Sequence, residues 1–590
     1  MNKIKNILWL AKPYLHREKI FMFVSILFWV IILPLCRIIM VVFPQQMVDL
    51  LDTGTSFRDV IFFVLCIQGI LLAIPVFEDF FNAWTEQVKF RIGAKIKEEA
   101  YKQAVRTDYH YVDNPKYYQK FSWTIEHHAE QAEAAYSFIL RVVSSLTIIA
   151  SLTTIIAVFN PWIFLLTLTG MILRTIGYSR YNRVTLNRDQ EMLVTNRKLD
   201  YYHRLFYMKE YAADLKTTRL RQLIFAHFGK TAEESVCTLR KYAPKLVKWA
   251  VFSDIIYRVV MSAIILLVAY SIYRGDILGA TSYLTVMLSV EKLEDTMYEF
   301  FELMQNAEKI SLYAMDIRDF YSLESIIETE DPGEIGDKLT VGDEPFSIEF
   351  DDVCFSYPDS DFGIHNLQLK IEKGEKVAIV GENGVGKSTL LKLLLRLYVP
   401  SNGDILIDGE SESKYNIHQL RNKIGVSFQK THVYALSLEE YLGYYANESC
   451  NTDNILSGMA EKIAAKHGAT AKSVLTREFD EEGIVISEGE AQQLALERVM
   501  GKKLGLLILD EPSASLDPLA EYEMNKKIMS PDNKVTTIII AHRLSTIREA
   551  DRIFLLDKGR IIEEGTHDEL VANKGKYYEM FSKQAENYVK

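Results

Sequence analysis

Cysteine is scarce and scattered in this chain. Cys36, Cys66, Cys237, Cys354 and Cys450 are odd in number and show no close pairing, which excludes a disulfide framework and a cysteine-based metal centre. An excess of basic charge is missing as well. Against 78 Asp and Glu stand 67 Lys and Arg, a net charge of -11. A nucleic-acid partner, which needs a basic face to displace counterions from phosphates, is therefore excluded. Nor does a small-residue cleavage site follow the first apolar run, so no removable signal is expected. Instead, Met1 to Lys19 sets Lys3, Lys5, Lys12, Arg17 and Lys19 against Ile4, Ile7, Leu8 and Ala11 at helical spacing. That pattern predicts an amphipathic helix lying in a membrane interface, with membrane lipid as its partner.

What is present divides into two halves, because 590 residues exceed what one hydrophobic core supports. The first half holds long uncharged stretches. Ile20 to Val48 contains only Arg37, Val60 to Phe77 contains no charge, and Val142 to Leu173 is uncharged but broken by Asn160-Pro161. Further stretches run from about Trp249 to Tyr273 and from Ile277 to about Phe301. They predict six membrane-spanning helices. The connections from about Lys89 to Glu133 and from Tyr178 to Lys248 are long and rich in Lys and Arg, so they and both termini are expected in the cytoplasm. The fold expected is multidomain. An all-α transmembrane domain with long cytoplasmic helical extensions, residues 1–325, is followed by a linker, residues 326–344, and an α/β ATPase domain, residues 345–590.

The second half begins after the acidic, Gly/Pro-punctuated linker. There Lys376-Val-Ala-Ile-Val380 reads as a buried strand that runs into Gly381-Glu-Asn383-Gly384-Val-Gly386-Lys387-Ser388-Thr389 and a Leu-rich helix. Strand, glycine-rich loop and helix make a phosphate-binding loop. Its glycines let backbone N–H groups wrap phosphates, Lys387 reaches the outer phosphates, and Ser388 offers a hydroxyl to Mg2+. A second buried strand, Leu506-Leu-Ile-Leu509, delivers Asp510 and Glu511 at its C-terminal end, where such sheets bind ligands. Asp510 suits Mg2+, and Glu511 is placed to polarise the water that attacks a γ-phosphate. A third strand, Thr537-Ile-Ile-Ile540, leads to His542, which can hold that water and bond the γ-phosphate.

This order of parts resembles the ABC transporters, and the front half resembles their exporter-type membrane domain. The resemblance implies ATP and Mg2+ as cofactors and places the chain in the cell membrane. It implies that Tyr357, in Cys354-Phe-Ser-Tyr-Pro358, stacks on adenine and that Gln429, in Ser427-Phe-Gln429, touches Mg2+ and senses the membrane domain. Asp517 matches the loop that couples two ATP sites across a dimer. The family's signature corresponds to Ile486-Ser487-Glu488-Gly489-Glu490, with its first glycine and final glutamine changed. Ser487 and Gly489 retain the means to bond a partner's γ-phosphate, while Glu488 brings like charge to it. Gln493 and Glu497 depart from the family pattern as well.

In this family ATP is sandwiched between the phosphate loop of one domain and the signature of another. The resemblance therefore implies a dimer with a second half-transporter. An intact set of Lys387, Asp510, Glu511 and His542 beside an altered signature favours a heterodimer over a homodimer. The implied activity is ATP-driven export of a peptide, lipid or amphipathic small molecule by alternating access. An ATP-gated channel or a non-pumping regulator is the alternative. Asp108 to Phe121 and about Tyr211 to Gln222 are the expected transmission segments. Glu291, Glu294 and Asp295 fall deep in the sixth span with only Lys292 to offset them, which predicts an acidic substrate cavity. No peptidase domain is expected ahead of the membrane half.

Overall fold

The computed structural model describes the chain except for residues 1, 17, 54, 160, 275–278, 324, 326, 328–338, 343, 358–361, 444–458, 513–515, 517, 531–533, 542–546 and 587–590. It divides into two compact units. One comprises Met1–Ala104 and Gln119–Leu323, the other Val105–Tyr118 and Glu324–Lys590. The division is not contiguous along the chain. The short segment 105–118, where one long helix ends and the next begins, belongs to the second unit.

Among the described residues the first unit contains helices and no strand. The amphipathic helix Asn2–His16 leads to a first long helix that runs through Lys19–Ile26, a π-helical stretch Leu27–Ile32, and Leu33–Asp52. Five more follow: Phe57–Arg106, Pro115–Phe159, Pro161–Tyr207, Leu220–Arg274 and Gly279–Tyr321. The 50-residue Phe57–Arg106 helix extends ~75 Å, more than twice the ~30 Å of bilayer hydrocarbon. Among the described residues five helices are long and apolar enough to cross a membrane. The sixth, Gly279–Tyr321, carries Glu291, Lys292, Glu294 and Asp295 within two turns and is not one of those five. Only 6% of the most apolar window of Phe57–Arg106 is buried, so its apolar surface is left for lipid rather than for a protein core.

Two apolar clusters hold this unit together. Ile7, Leu10, Ala11 and Tyr14 of the N-terminal helix pack with Val88, Ile92, Tyr136, Ile310 and Ile317. The apolar face predicted from the sequence is thus shared: Ile7 and Ala11 are buried, while Ile4 and Leu8 are exposed. Val41, Ile148, Leu152, Ile264, Val268 and Val286 form the second cluster. Gly170 and Gly177 permit close approach of neighbouring helices, since a Cβ at Gly177 would overlap the Ser253 hydroxyl.

The second unit contains two sheets. Strands β1 (Ile348–Ser356), β2 (Gly363–Ile371), β4 (Asn402–Ile407) and β5 (Glu410–Ser411) form an antiparallel sheet in the order β2-β1-β4-β5. The central sheet has the order β10-β9-β3-β8-β7-β6. Its strands are β3 (Lys376–Val380), β6 (Ile424–Ser427), β7 (Leu506–Asp510), β8 (Thr536–Ile540), β9 (Arg552–Asp557) and β10 (Arg560–Gly565). All its pairings are parallel except β9 with β10.

The run Lys376–Val380 has no alternation of polarity because both faces of β3 are covered. Val377 and Ile379 enter one core with Leu390, Leu394, Ile508 and Ile540. Ala378 and Val380 enter the other with Leu507, Leu509, Ile539 and Leu555. The two-residue period of the strand thus feeds two cores from one sequence.

Candidate functional site

The end of β3 turns into the helix Lys387–Leu394 through the loop 381–386. Gly386, the residue before that helix, has φ +116°, a conformation that L side chains rarely adopt. At Gly381 the constraint is space, since a Cβ would overlap the backbone oxygen of Leu556. The Lys387 ammonium donates to the carbonyls of Gly381 (2.7 Å) and Glu382 (2.9 Å), so its position across the loop is fixed by the loop itself. Burial lowers its pKa, while Glu511 and Asp510 act to hold it up.

Asp510 ends β7, and Glu511 follows in the left-handed region at φ 49°. That conformation costs a non-glycine residue on the order of 1 kcal/mol. It is held in place by Glu511 N–H donating to Ile540 O (2.8 Å) and Gln492 Nε2 donating to Glu511 O (3.1 Å). The Glu511 carboxylate accepts from Gln429 Nε2 at 2.8 Å. Burial first, and the neighbouring Glu511 second, push the Asp510 carboxyl up to about 6, against the pull of Lys387.

These groups share one cavity of about 690 Å3. It is lined by Asn383, Gly384, Gly386, Lys387, Ser388 and Thr389 of the loop and helix start, with Gln429, Asp510, Glu511 and Tyr357 around them. The Tyr357 hydroxyl lies 3.2 Å from Thr389 Oγ1. Its ring is stacked with Phe362, with centroids 6.1 Å apart at 11°. Ser388, Gln429 and Asp510 offer hard oxygen donors of the kind Mg2+ takes, with one carboxylate only, so the rest of a shell must come from phosphate and water. Consistently, no group of three His, Cys, Asp or Glu side chains suited to a metal occurs among the described residues. His542 and Asp517 lie outside the described residues.

Three lining residues carried no signal that would assign them to this cavity: Phe362, Lys392 and Asp113. Asp113 ends the short helix Tyr109–Asp113, within the sequence segment expected to transmit movement. Its carboxylate accepts from Lys392 Nζ (2.9 Å) and from the Tyr398 hydroxyl (2.7 Å). The Lys392 ammonium also faces the rings of Tyr109 (5.1 Å), Tyr357 (5.4 Å) and Tyr398 (5.6 Å). Burial pulls the Lys392 pKa down, but the bond to Asp113 and the tyrosines around it leave it raised. These bonds, together with those of Ser325 Oγ and Ile327 N–H to Asp108, hold segment 105–118 in the second unit.

The altered signature has a structural account. Ser487 caps the helix Glu488–Met500 and forms a reciprocal capping box with Glu490. Glu490 Oε2 accepts from Ser487 N–H (2.8 Å) and Ser487 Oγ (2.9 Å), while Glu490 Oε1 accepts from Lys466 Nζ (2.6 Å). Burial opposes ionisation, yet the bonds from Lys466, Ser487 and His467 take the Glu490 carboxyl down to about 2. Glu497, also a departure, accepts from the Ala460 N–H at 2.9 Å. Gly489 lies in the first turn of the same helix, and Glu488 heads it.

In the helical unit the three acidic residues of Gly279–Tyr321 are not a free acidic surface. Glu294 pairs with Arg174 at 2.8 Å and Asp295 with Lys292 at 3.1 Å. Among the described residues only Glu291 of the three has no ion-pair partner. Glu294 lines a cavity together with Arg174, which comes from a helix 120 residues earlier, where spacing along one helix gives no hint of it.

Residues 364–514 match the ABC transporter family. The chain is 39% identical over 244 residues to ABC transporter B family member 3 of Dictyostelium discoideum, covering 40% of this chain and 17% of that protein. It is 37% identical over 268 residues to the Beta-(1-->2)glucan export ATP-binding/permease protein NdvA of Rhizobium etli, covering 44% of each. Over 244 residues it is 37% identical to the ATP-dependent lipid A-core flippase of Alkalilimnicola ehrlichii, covering 39% of each. The matched stretch thus spans less than half the length of each of these relatives. The fold is similar to that of a solved structure, a bacterial Atm1-family ABC exporter with ATP bound, at TM-score 0.73 and 21% identity, covering 95% of this chain and 98% of that one.

Proposed function

Starting from a chain that joins an ABC transporter ATP-binding domain to a multi-pass helical domain of exporter fold, we propose that it is one half of an ATP-driven exporter. The observation that carries this reading is the single cavity lined by Lys387, Ser388, Gln429, Asp510 and Glu511 in a chain that also has five helices able to cross a membrane. In it, the loop amides and Lys387 bind the triphosphate, Tyr357 and Phe362 hold the base, and Glu511 polarises the attacking water. Ser388, Gln429 and Asp510 would hold Mg2+, which supplies positive charge against the phosphates when bound. The Gln429 to Glu511 bond fixes the carboxylate before water is engaged. His542 and Asp517 take the roles of γ-phosphate contact and cross-dimer coupling.

A second half-transporter supplies the opposing signature. Because Ser487 and Glu490 are committed to a capping box and Glu488 adds negative charge, the ATP facing this signature is the less readily hydrolysed, and a partner of different sequence suits such an arrangement. The termini and the long connections lie in the cytoplasm of a cell whose plasma membrane holds the chain. The cargo is amphipathic: Glu291 is exposed to meet a cationic group, while Glu294 and Asp295 are spent on Arg174 and Lys292.

The test is hydrolysis and binding by the full chain in lipid discs, with and without a candidate partner, across peptides, lipids and cationic amphiphiles. Glu511→Gln is expected to retain MgATP binding while hydrolysis falls by about 10²–10⁴-fold. A wild-type chain that binds no MgATP, or a Glu511→Gln chain that turns over normally, refutes the reading.

A further inference from the structure

Two adjoining cavities in the helical unit are lined by three cations and by no carboxylate. The larger, about 380 Å3, opens between Pro115–Phe159 and Gly279–Tyr321 and takes Lys309 together with the amides of Gln131 and Asn306. The smaller, about 150 Å3, lies among the first three long helices and is lined by Lys89, Asn82 and the rings of Trp29 and Phe81. Ser137 and Arg141 line both.

The charges do not cancel. Lys89 pairs with Glu133 at 2.8 Å and Lys309 with Asp189 at 3.3 Å. Arg141 has no carboxylate partner among the described residues, and its guanidinium lies 5.5 Å from the centroid of the Trp29 ring. One uncompensated cation with five fixed donors thus lines both of two cavities whose walls are largely apolar and carry aromatic rings.

Its level follows from two independent measures. Lys309 lies on the stretch of Gly279–Tyr321 that Lys3 and Asn6 tie to the N-terminal amphipathic helix, through Glu308 and Ser311. Arg141 is also eighteen residues, or ~27 Å, from the Phe159 end of its own helix, close to the full depth of the hydrocarbon. Both put Arg141 at the inner boundary, where head groups lie and where anionic lipid attracts cations.

We propose that Arg141 centres a binding site for the anionic head group of a membrane amphiphile, with Ser137, Asn82 and the Lys89 ammonium around the head and the Trp29 and Phe81 rings against its apolar part. The proposal rests on reading the helical unit as a membrane domain and goes beyond the exporter reading by naming a ligand chemistry and its site. Bidentate contact from a guanidinium to phosphate supplies selectivity for anionic over zwitterionic heads.

The full chain, purified in detergent, is titrated with phosphatidylglycerol and with phosphatidylcholine, and bound lipid is counted by native mass spectrometry. Wild type is expected to hold phosphatidylglycerol preferentially, and Arg141→Gln to lose about tenfold in that affinity with phosphatidylcholine unaffected. MgATP binding, scored in parallel, is expected to be unchanged and reports an intact fold. Should Arg141→Gln lose MgATP binding, Arg141→Lys decides, since it keeps the charge and is expected to retain most of the preference. Equal retention of both lipids by wild type overturns the proposal, as does Arg141→Gln retaining phosphatidylglycerol like wild type. Displacement of the lipid by millimolar inorganic phosphate alone overturns the amphiphile assignment. A wild-type chain that binds the lipid but no MgATP tells against the exporter reading only.

Discussion

Lys392 and Asp113 offer the sharpest test of how the nucleotide site is tied to the segment between the second and third long helices. Asp113→Asn removes the charge from a carboxylate that accepts from Lys392 at 2.9 Å and from Tyr398 at 2.7 Å. The two charged side chains are 23% and 36% exposed, so solvent screens the pair in part. The loss in stability is expected at about 1 kcal/mol rather than the larger value of a buried pair. Lys392→Met removes the same pair and also the ammonium facing Tyr109, Tyr357 and Tyr398. At about 0.5 kcal/mol for each ring, its cost is expected at about 2–3 kcal/mol. Since both changes break one bond, the double variant is expected to be less destabilised than the sum by about 1 kcal/mol. Tyr357 loses its fixed neighbour in either variant, so the KM for ATP is expected to rise about three- to tenfold while kcat holds. Thermal unfolding and steady-state hydrolysis by the full chain in lipid discs measure both quantities. Additive destabilisation with an unchanged KM refutes the argument.

Two further carboxylates are expected to give pH dependences of opposite sign. Glu490 is held down to about 2, so its contribution is present above the ordinary carboxylate range and is lost as pH falls toward 2. Glu490→Ala is expected to cost about 1–2 kcal/mol near neutral pH through the lost capping box, and the acid-side decline in unfolding temperature is expected to flatten. Glu412 is buried, one of its oxygens has no hydrogen-bond partner, and burial pushes its carboxyl up to about 8, against Arg396 and Arg421. Its neutral form fits the fold, so stability is fully present below the ordinary carboxylate pKa and declines as pH rises through about 8. Glu412→Gln is expected to raise the unfolding temperature at pH 8 to 9 and leave it unchanged at pH 4, as followed by scanning calorimetry.

The phosphate loop was legible because every part of it is local. A buried strand, glycines and a helix follow one another within twenty residues, and the strand's two-sided burial leaves an unbroken apolar run. The long apolar helices were legible for the same reason. Pairings between distant segments were not. Asp113 and Lys392 are 279 residues apart, and no periodicity marks either as a partner of the other. Arg174 and Glu294 are likewise separated, so a sixth helix that reads as acidic is partly neutral once folded. Glu490 was visible in the sequence only as a departure from the signature, and its bonds to Ser487 and Lys466 were not. The Ser487-x-x-Glu490 spacing of a capping box was itself present in the sequence.

The π-helical stretch Leu27–Ile32 has a consequence for the rest of the first long helix. A wide turn accommodates one residue more than an α-helical turn, which shifts the rotational phase of everything beyond it by about 100°. Ahead of the exit from this turn, Phe28 stacks on Phe81 with centroids 4.4 Å apart. Beyond it, Arg37 reaches Glu299 at 3.4 Å. Were the helix regular throughout, Arg37 would stand about 100° further round the axis relative to Phe28. The wide turn works as a phase adjuster, setting the rotation at which Arg37 meets Glu299 while Phe28 stays on Phe81.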